Sequence, residues 1–142
     1  ITNMAGPAFA AYAVTANSLS AGVQTKVNFD TEHFDTDSCY DTSTSRFTPT
    51  VQGYYQINSS CTGSNISTGI VYISIYKNGS EFTRSGYFQY SSSGTKADAS
   101  CIVFCNGSTD YIEIYFHVPQ AMNTFTGGSE YTWFSGALVR GA

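Results

Sequence analysis

An all-β domain built as a two-sheet sandwich is what this sequence predicts, on three observations. Aromatics make up 15% of the chain and charged residues only 11%, with eleven Tyr and ten Phe set among abundant Ser, Thr, Gly and Asn. That mixture favours half-buried strands joined by turns. Apolar residues repeatedly alternate with polar ones, which is the two-residue period of a strand with one face in the core. Turn dipeptides such as Asn78-Gly79 separate these runs, and no capped apolar stretch of 3.6-residue period is present.

Taken in order, Pro7 to Val14 predicts a first strand around Phe9 and Tyr12, and Asn17 to Gly22 a turn. Val23, Thr25, Val27 and Phe29 share one parity and predict a second strand. It runs into an acidic stretch from Asp30 to Asp41 that holds five of the ten acids and reads as a loop. Gly53 to Cys61 sets Tyr55, Ile57 and Ser59 on one face and Tyr54, Gln56 and Asn58 on the other. Val71, Ile73 and Ile75 alternate with Tyr72, Ser74 and Tyr76, and Asn78-Gly79 supplies the positive-φ pair of a tight hairpin returning over Phe82 to Tyr90. Ser91 to Gly94 reads as a loop and Ala99 to Cys105 as a strand. Ile112, Ile114 and Phe116 then oppose Tyr111, Glu113, Tyr115 and His117, and Pro119 ends that strand. Gln120 to Glu130 reads as a loop and Tyr131 to Arg140 as the last strand. Eight to ten short strands in a single domain of 142 residues make a sandwich, with no internal repeat.

Composition also restricts function. Six basic residues scattered through a chain of net charge −4 offer no cationic stripe for a phosphate backbone, so nucleic acid is excluded as a partner. No apolar run reaches the roughly 20 residues of a membrane-spanning helix, and no membrane insertion is expected. The start at Ile1 without Met leaves room for an upstream stalk, the domain then being the C-terminal part of a longer protein. Cys39, Cys61, Cys101 and Cys105 lack the paired spacings of a zinc site. Cys101 and Cys105 stand about 13 Å apart on one strand face and cannot bond to each other without a bend. Four free, mostly buried thiols are expected, with one or two bridges as the alternative.

No catalytic constellation stands out. His33 and His117 lie outside any nucleophile motif, and Asp98, Asp110, Glu113 and Glu130 would serve a glycosidase only if folding brought two of them together. No cofactor is expected. Asp35 and Asp37 are spaced like part of a calcium loop, but the glycine and bidentate Glu of such a loop are missing, and a solvated acidic loop is the simpler reading. Asn58, Asn65, Asn78 and Asn106 each open an Asn-X-Ser sequon, which a Ser-rich chain produces by chance. The outward tyrosines are the remaining signal, because aromatic enrichment with charge depletion marks interface cores. Tyr54, Tyr72, Tyr76, Tyr111 and Tyr115 are therefore either interface residues or ordinary solvent-facing strand residues; Gln56 and Trp133 join the candidates.

An ordered set of landmarks carries a family resemblance: Pro7-Ala8-Phe9-Ala10, Val27-Asn28-Phe29, Tyr40-Asp41, Arg46-Phe47-Thr48-Pro49, Gly53-Tyr54-Tyr55-Gln56-Ile57, Asn78-Gly79, Asp110 before a strand, and Phe134-Ser135-Gly136. Over nearly its whole length the chain resembles the globular head of complement first-component subunit q, a relative of the tumour-necrosis-factor jelly roll. The resemblance implies a ten-stranded jelly roll, a homotrimer, apical binding loops and no catalytic machinery. It places Phe29, Phe47, Tyr55, Ile57, Ile73, Ile114, Phe134 and Gly136 in the core, with the Phe134–Gly136 strand near the three-fold axis. One extra residue in Gly107-Ser108-Thr109-Asp110 would set Val103 and Cys105 in core columns. The terminal segments look most like versions carried by tailed bacteriophages. This implies a place on the virion as a fibre tip, spike or capsid decoration. The expected partners are the chain itself, other virion proteins, and a host cell-surface glycan or protein. A secreted complement-like recognition protein and a purely structural capsid cement are the alternatives. The loops about Asp30 to Ser45, Ser91 to Asp98 and Gln120 to Glu130 are expected to hold the function.

Overall fold

The computed structural model describes residues 5–88, 94–125 and 128–142. In chain order the strands are β1 (Ala8–Tyr12), β2 (Ser18–Leu19), β3 (Gln24–Lys26), β4 (Thr31–Asp35), β5 (Tyr40–Asp41), β6 (Arg46–Phe47) and β7 (Gly53–Gly63). They continue with β8 (Val71–Lys77), β9 (Ser80–Phe88), β10 (Thr95–Cys105), β11 (Ile112–His117), β12 (Met122–Asn123) and β13 (Trp133–Gly141). One sheet runs β10-β7-β13-β1-β4 and the other β5-β6-β11-β8-β9, with β3 also paired to β11 and a small β2-β12 pair beside them. The two sheet orders hold five strands each, the ten of the expected jelly roll, and among the described residues the short β2, β3 and β12 are additions to them, too short for alternation to register.

The two sheets close on an aromatic cluster contributed by both. Phe9 stacks on Tyr40 at 4.7 Å and on Phe47 at 4.5 Å, and meets Phe134 edge-on at 4.8 Å between ring centroids. Phe29 and Tyr55 extend the cluster. Each buried ring contributes on the order of 2–3 kcal/mol by area, and its edge-on or offset pairing adds to that. Tyr40 and Tyr55 enter this apolar layer because their hydroxyls donate to the carbonyls of Phe29 (2.8 Å) and Val51 (2.6 Å). Around them Ile57, Ile73, Ile75, Ile112, Ile114 and Phe116 are fully buried, as the alternation requires. Phe29, Phe47 and Phe134 are fully buried beside them.

Gly136 is where β13 passes against this aromatic layer. A Cβ there would lie 2.9 Å from both Ile57 Cδ1 and Phe9 Cε1 and 3.5 Å from Phe47 Cε1, so the cluster occupies the room a side chain would need. The hairpin at Asn78-Gly79 has φ of 54° and 79° and joins Lys77 to Ser80 as the dipeptide predicts.

Several expectations change. Val23 is 51% exposed although it shares parity with the buried Val27 and Phe29, because β3 is confined to Gln24–Lys26 and its face differs from theirs. The acidic stretch is not one loop: Thr31–Asp35 pairs with β1 as an edge strand, with a bulge between Ala10 and Ala11. This places Asp30 at one end of the sandwich, bonded to the N–H groups of Val14 and Thr15, and Asp37 and Asp41 at the other. Strand β10 starts at Thr95, earlier than predicted, so Thr95 to Asp98 belong to a strand rather than a loop. The 120–130 segment contains β12. Ser91 to Ser93 and Thr126 to Gly127 lie outside the described residues. All four cysteines are free; Cys39, Cys61 and Cys105 are buried and Cys101 is partly so. Val103 and Cys105 both face the core.

One end of the sandwich is organised by Asp110. Its carboxylate accepts from Asn78 Nδ2 (2.7 Å) and the Asn106 N–H (3.0 Å) and pairs with Lys77 Nζ (3.0 Å). Asn106 in turn accepts from the N–H groups of Ser108, Thr109 and Asp110, which closes its own turn, while the Asp110 carboxylate joins that turn to Asn78-Gly79. The Asn78 bond and the Lys77 charge hold the Asp110 carboxyl below its ordinary value. Its contribution is therefore complete above the unfolded value near pH 4 and is lost as pH falls towards the folded pKa.

Two outcomes follow in urea denaturation. Gly136→Ala lowers stability by about 1–3 kcal/mol through overpacking, and a variant as stable as the parent would contradict the steric account. Asp110→Asn costs about 1–3 kcal/mol at pH 7, and the gap from the parent narrows below pH 4. A gap that stays constant into acid would refute the charge-assisted lock.

Candidate subunit and ligand interfaces

Since inward side chains fill the core, function falls to the two outward faces and the loops. On the five-stranded sheet, β1 and β13 present Ala8, Ala10, Ser135 and Ala137, small residues that leave a shallow floor. A hollow of about 210 Å³ is lined there by Ala8, Phe34, Gln56, Asn58, Ser135 and Ala137 among others. Large apolar groups stand around it, with Phe34 52%, Tyr54 43% and Ile102 56% exposed. At the centre Gln56 Nε2 donates to Ser100 Oγ (2.8 Å), which donates to Asn58 Oδ1 (2.9 Å). The middle of this face is uncharged; Asp98, paired with Lys96, lies towards one end of β10 and Arg140 towards the end of β13. A broad neutral face rimmed by exposed rings marks a protein contact surface.

The six-stranded sheet is different. Tyr76 stacks on Tyr115 with ring centroids 3.9 Å apart, and Tyr72 on His117 at 4.4 Å. Arg46 lies 4.1 Å over the Tyr111 ring and Arg84 4.5 Å over Tyr72. Beneath them Glu113 is buried although it points outward from the core, because Lys26 (2.6 Å) and Arg46 (3.3 Å) close over it from β3 and β6. Glu81 accepts from Ser74, Gln24 and Arg84 in the same layer.

The seven interface candidates thus divide. Tyr54, Gln56 and Trp133 belong to the five-stranded face, and Tyr72, Tyr76, Tyr111 and Tyr115 to the opposite one. No single patch holds all seven, although a three-fold ring uses two different surfaces of each subunit. Phe34, Ile102 and the alanines of β1 and β13 were missed because an isolated Phe or Ile and a run of small residues carry no interface signal in sequence. The register of β1, β13 and β4 is what assembles them.

Other candidates are committed elsewhere. Both oxygens of Asp35 accept backbone N–H groups, from Cys39 (3.0 Å) and Tyr40 (2.8 Å), and Asp37 accepts from Thr36. Asp35 is a turn-forming residue in this arrangement, and no three metal-binding side chains converge among the described residues. His33 stacks on Tyr12, and His117 Nδ1 contacts the Ile70 carbonyl. Asp98, Asp110 and Glu113 occupy three separate surfaces, which is not the geometry of a carboxylate pair. Burial pushes the thiols of Cys101 and Cys105 up to about 11, so neither is a nucleophile near neutrality.

Comparison with known proteins decides the family. The family model for the C1q domain matches residues 8–139. The chain belongs to the C1q domain family. Its fold is shared with the globular domain of zebrafish complement 1qA, at a TM-score of 0.71 and 16% identity over 96% of this chain and 99% of that one. Mouse APRIL at pH 5.0 aligns at 0.73 and 11% identity over 95% and 100% of the two chains, and Eiger TNF from S. frugiperda at 0.68 and 9% over 96% and 93%. No curated relative matches the sequence. C1q and tumour-necrosis-factor-like domains form homotrimers that bind ligands and are generally not enzymes, which makes this C1q domain a non-enzymatic trimeric binding module.

Proposed function

We propose that this C1q domain is an adhesive and structural module on the particle of a tailed phage, a fibre tip, spike or capsid decoration that engages a host surface glycan or protein. The observation that carries its trimeric part is the neutral, ring-bordered face of the five-stranded sheet, which is left uncovered in the single chain. Covering that face with two neighbours leaves the six-stranded face and the loops outward, and three copies of one weak site then act with avidity.

The virion location is supported by two further observations. The terminal segments resemble those of phage-borne versions, as set out above. Four free thiols, three of them buried, suit a chain that folds in a reducing cytoplasm before release, whereas a secreted recognition domain of this size would commonly use its cysteines as bridges. The location on the particle then separates adhesion from cement: a label at the tail tip argues for host attachment, and a label on the head for decoration.

Light scattering of the full chain at micromolar concentration should give a trimer of roughly three times the 15.3 kDa protomer. Ile102→Asp should convert it to folded monomers with an unchanged near-ultraviolet spectrum, because the substitution puts three charges into a neutral contact. A wild-type monomer, or an Ile102→Asp trimer, would refute the assignment of that face. In the native protein at neutral pH a thiol reagent should react only slowly, and on unfolding it should titrate all four cysteines. Absence of any titratable thiol after unfolding would favour the secreted, bridged alternative.

A further inference from the structure

The six-stranded face is built to present donors, and we propose that it is a binding site for anionic saccharides bearing carboxylate or sulfate groups. The proposal rests on the host-adhesion reading above and names its ligand class and residues.

The argument starts from what the stacking consumes. Tyr76 and Tyr115 cover one face of each other, His117 and Arg84 cover Tyr72, and Arg46 covers Tyr111. Much of the ring-face area is therefore spent within the layer. What remains for a partner is ring edges, which carry the positive end of the aromatic quadrupole, and phenolic hydroxyls. Among the described residues, the hydroxyls of Tyr76 and Tyr115 and the Nη groups of Arg46 make no hydrogen bond, and the Arg46 side chain is 42% exposed.

Charge points the same way. Lys26 and Arg46 both bear on the single carboxylate of Glu113, Glu81 and Arg84 cancel, and Asp41, opposite Arg46 in the β5–β6 pair, is engaged by the Ser43 N–H and hydroxyl. The chain as a whole carries −4, so a face whose acids are all matched by bases or by hydrogen bonds differs from the overall sign. The Arg46 Nε is itself buried without an aligned hydrogen bond. Its guanidinium is nonetheless held in place by the Glu113 charge on one side and the Tyr111 ring on the other, so the outward fork is oriented before a ligand arrives. An oriented fork beside two phenol donors matches the oxygens of a carboxylate or sulfate. The neutral, hydroxyl-rich border suits the sugar that carries them. A neutral saccharide would leave the fork unanswered.

The test uses the trimer of this chain against immobilised polygalacturonate, heparin and dextran, read by biolayer interferometry at two salt concentrations. Binding to one or both acidic polymers, weakened by salt, and none to dextran is the expected result; which polymer binds tells carboxylate from sulfate. Arg46→Gln should weaken binding at least tenfold. The double variant Tyr76→Phe/Tyr115→Phe, which removes only two hydroxyls, should weaken it about fivefold with an unchanged melting curve, and Tyr54→Phe on the opposite face should have no effect. Equal binding to dextran, no binding to either acidic polymer, or equal affinity of parent and double variant would overturn the site. Attachment of the labelled trimer to host cells that survives in all variants would also overturn the site while leaving adhesion standing. Polymer binding lost in the variants without any cell attachment by the parent would uphold the site and overturn adhesion instead.

Discussion

The structure depends on the absence of one side chain. Gly136 lets β13 run so close beneath Phe9 and Phe47 that these rings, with Tyr40 and Phe134, form a continuous stacked layer between the sheets. That layer sets the separation and relative position of the two sheets. Interiors this dense adjust poorly to an added methyl group, so the requirement for glycine is steric rather than conformational. Once the layer is in place, register does the rest. Strand β13 pairs with β1 over Trp133 to Ala137 and with β7 up to a bulge between Leu138 and Arg140, and each pairing fixes which side chains of three strands share the outer face.

The two outer faces follow different electrostatic rules because the core constrains each strand equally but leaves the alternate positions free. On the five-stranded sheet those positions are small or neutral, and the polar groups at the centre satisfy each other through Gln56, Asn58 and Ser100. Such a face can be desolvated at little cost, since no unpaired charge is taken out of water. On the six-stranded sheet the same positions carry Glu113, Glu81, Lys26, Arg46 and Arg84. Covering that face with another subunit would strip water from several ions, whereas a small charged ligand replaces only part of their hydration. The chemistry of the faces therefore suits the first to permanent contact and the second to exchangeable contact, which is the division the proposed function uses.

How much of this was legible in sequence depends on whether a feature has a period or a partner. Tyr55, Ile57, Ile73, Ile75, Ile112 and Ile114 were assigned correctly because alternation of period two is local to their strands. The Asn78-Gly79 hairpin was legible because its φ values demand those residue types. Val23 was misplaced because parity cannot show where a three-residue strand ends. Strand β4 was hidden by its charges: an edge strand with one side to water has no need of apolar alternation, and Glu32 and His33 read as loop. The burial of Glu113 was invisible for a different reason. Its partners Lys26 and Arg46 lie 87 and 67 positions away in sequence, and only the pairing of β11 with β3 and β6 brings them over it. The split of the seven candidate interface residues has the same origin, since parity separates inward from outward but does not say which sheet a strand joins.

The ends of the sandwich complete the division of labour. Asp110 fastens the turns at Asn78-Gly79 and Asn106-Gly107 to each other and to Lys77, whose ammonium also donates to the Phe104 carbonyl. Every group there is committed to another, so a change in one turn propagates to both. The other end is tied by exchanges of its own: Asn17 and Thr124 each donate a backbone N–H to the other, Asn17 exchanges two further bonds with Asn28, and Gln120 accepts twice from Ser67 while donating to the Asn65 carbonyl. Both ends are therefore closed by side chains that answer loop backbone, and the steric requirement of Gly136 keeps the faces between them in register. A scaffold fastened at both ends leaves recognition to the outward side chains of the faces and to loop positions outside these bonds, where substitution disturbs no neighbour.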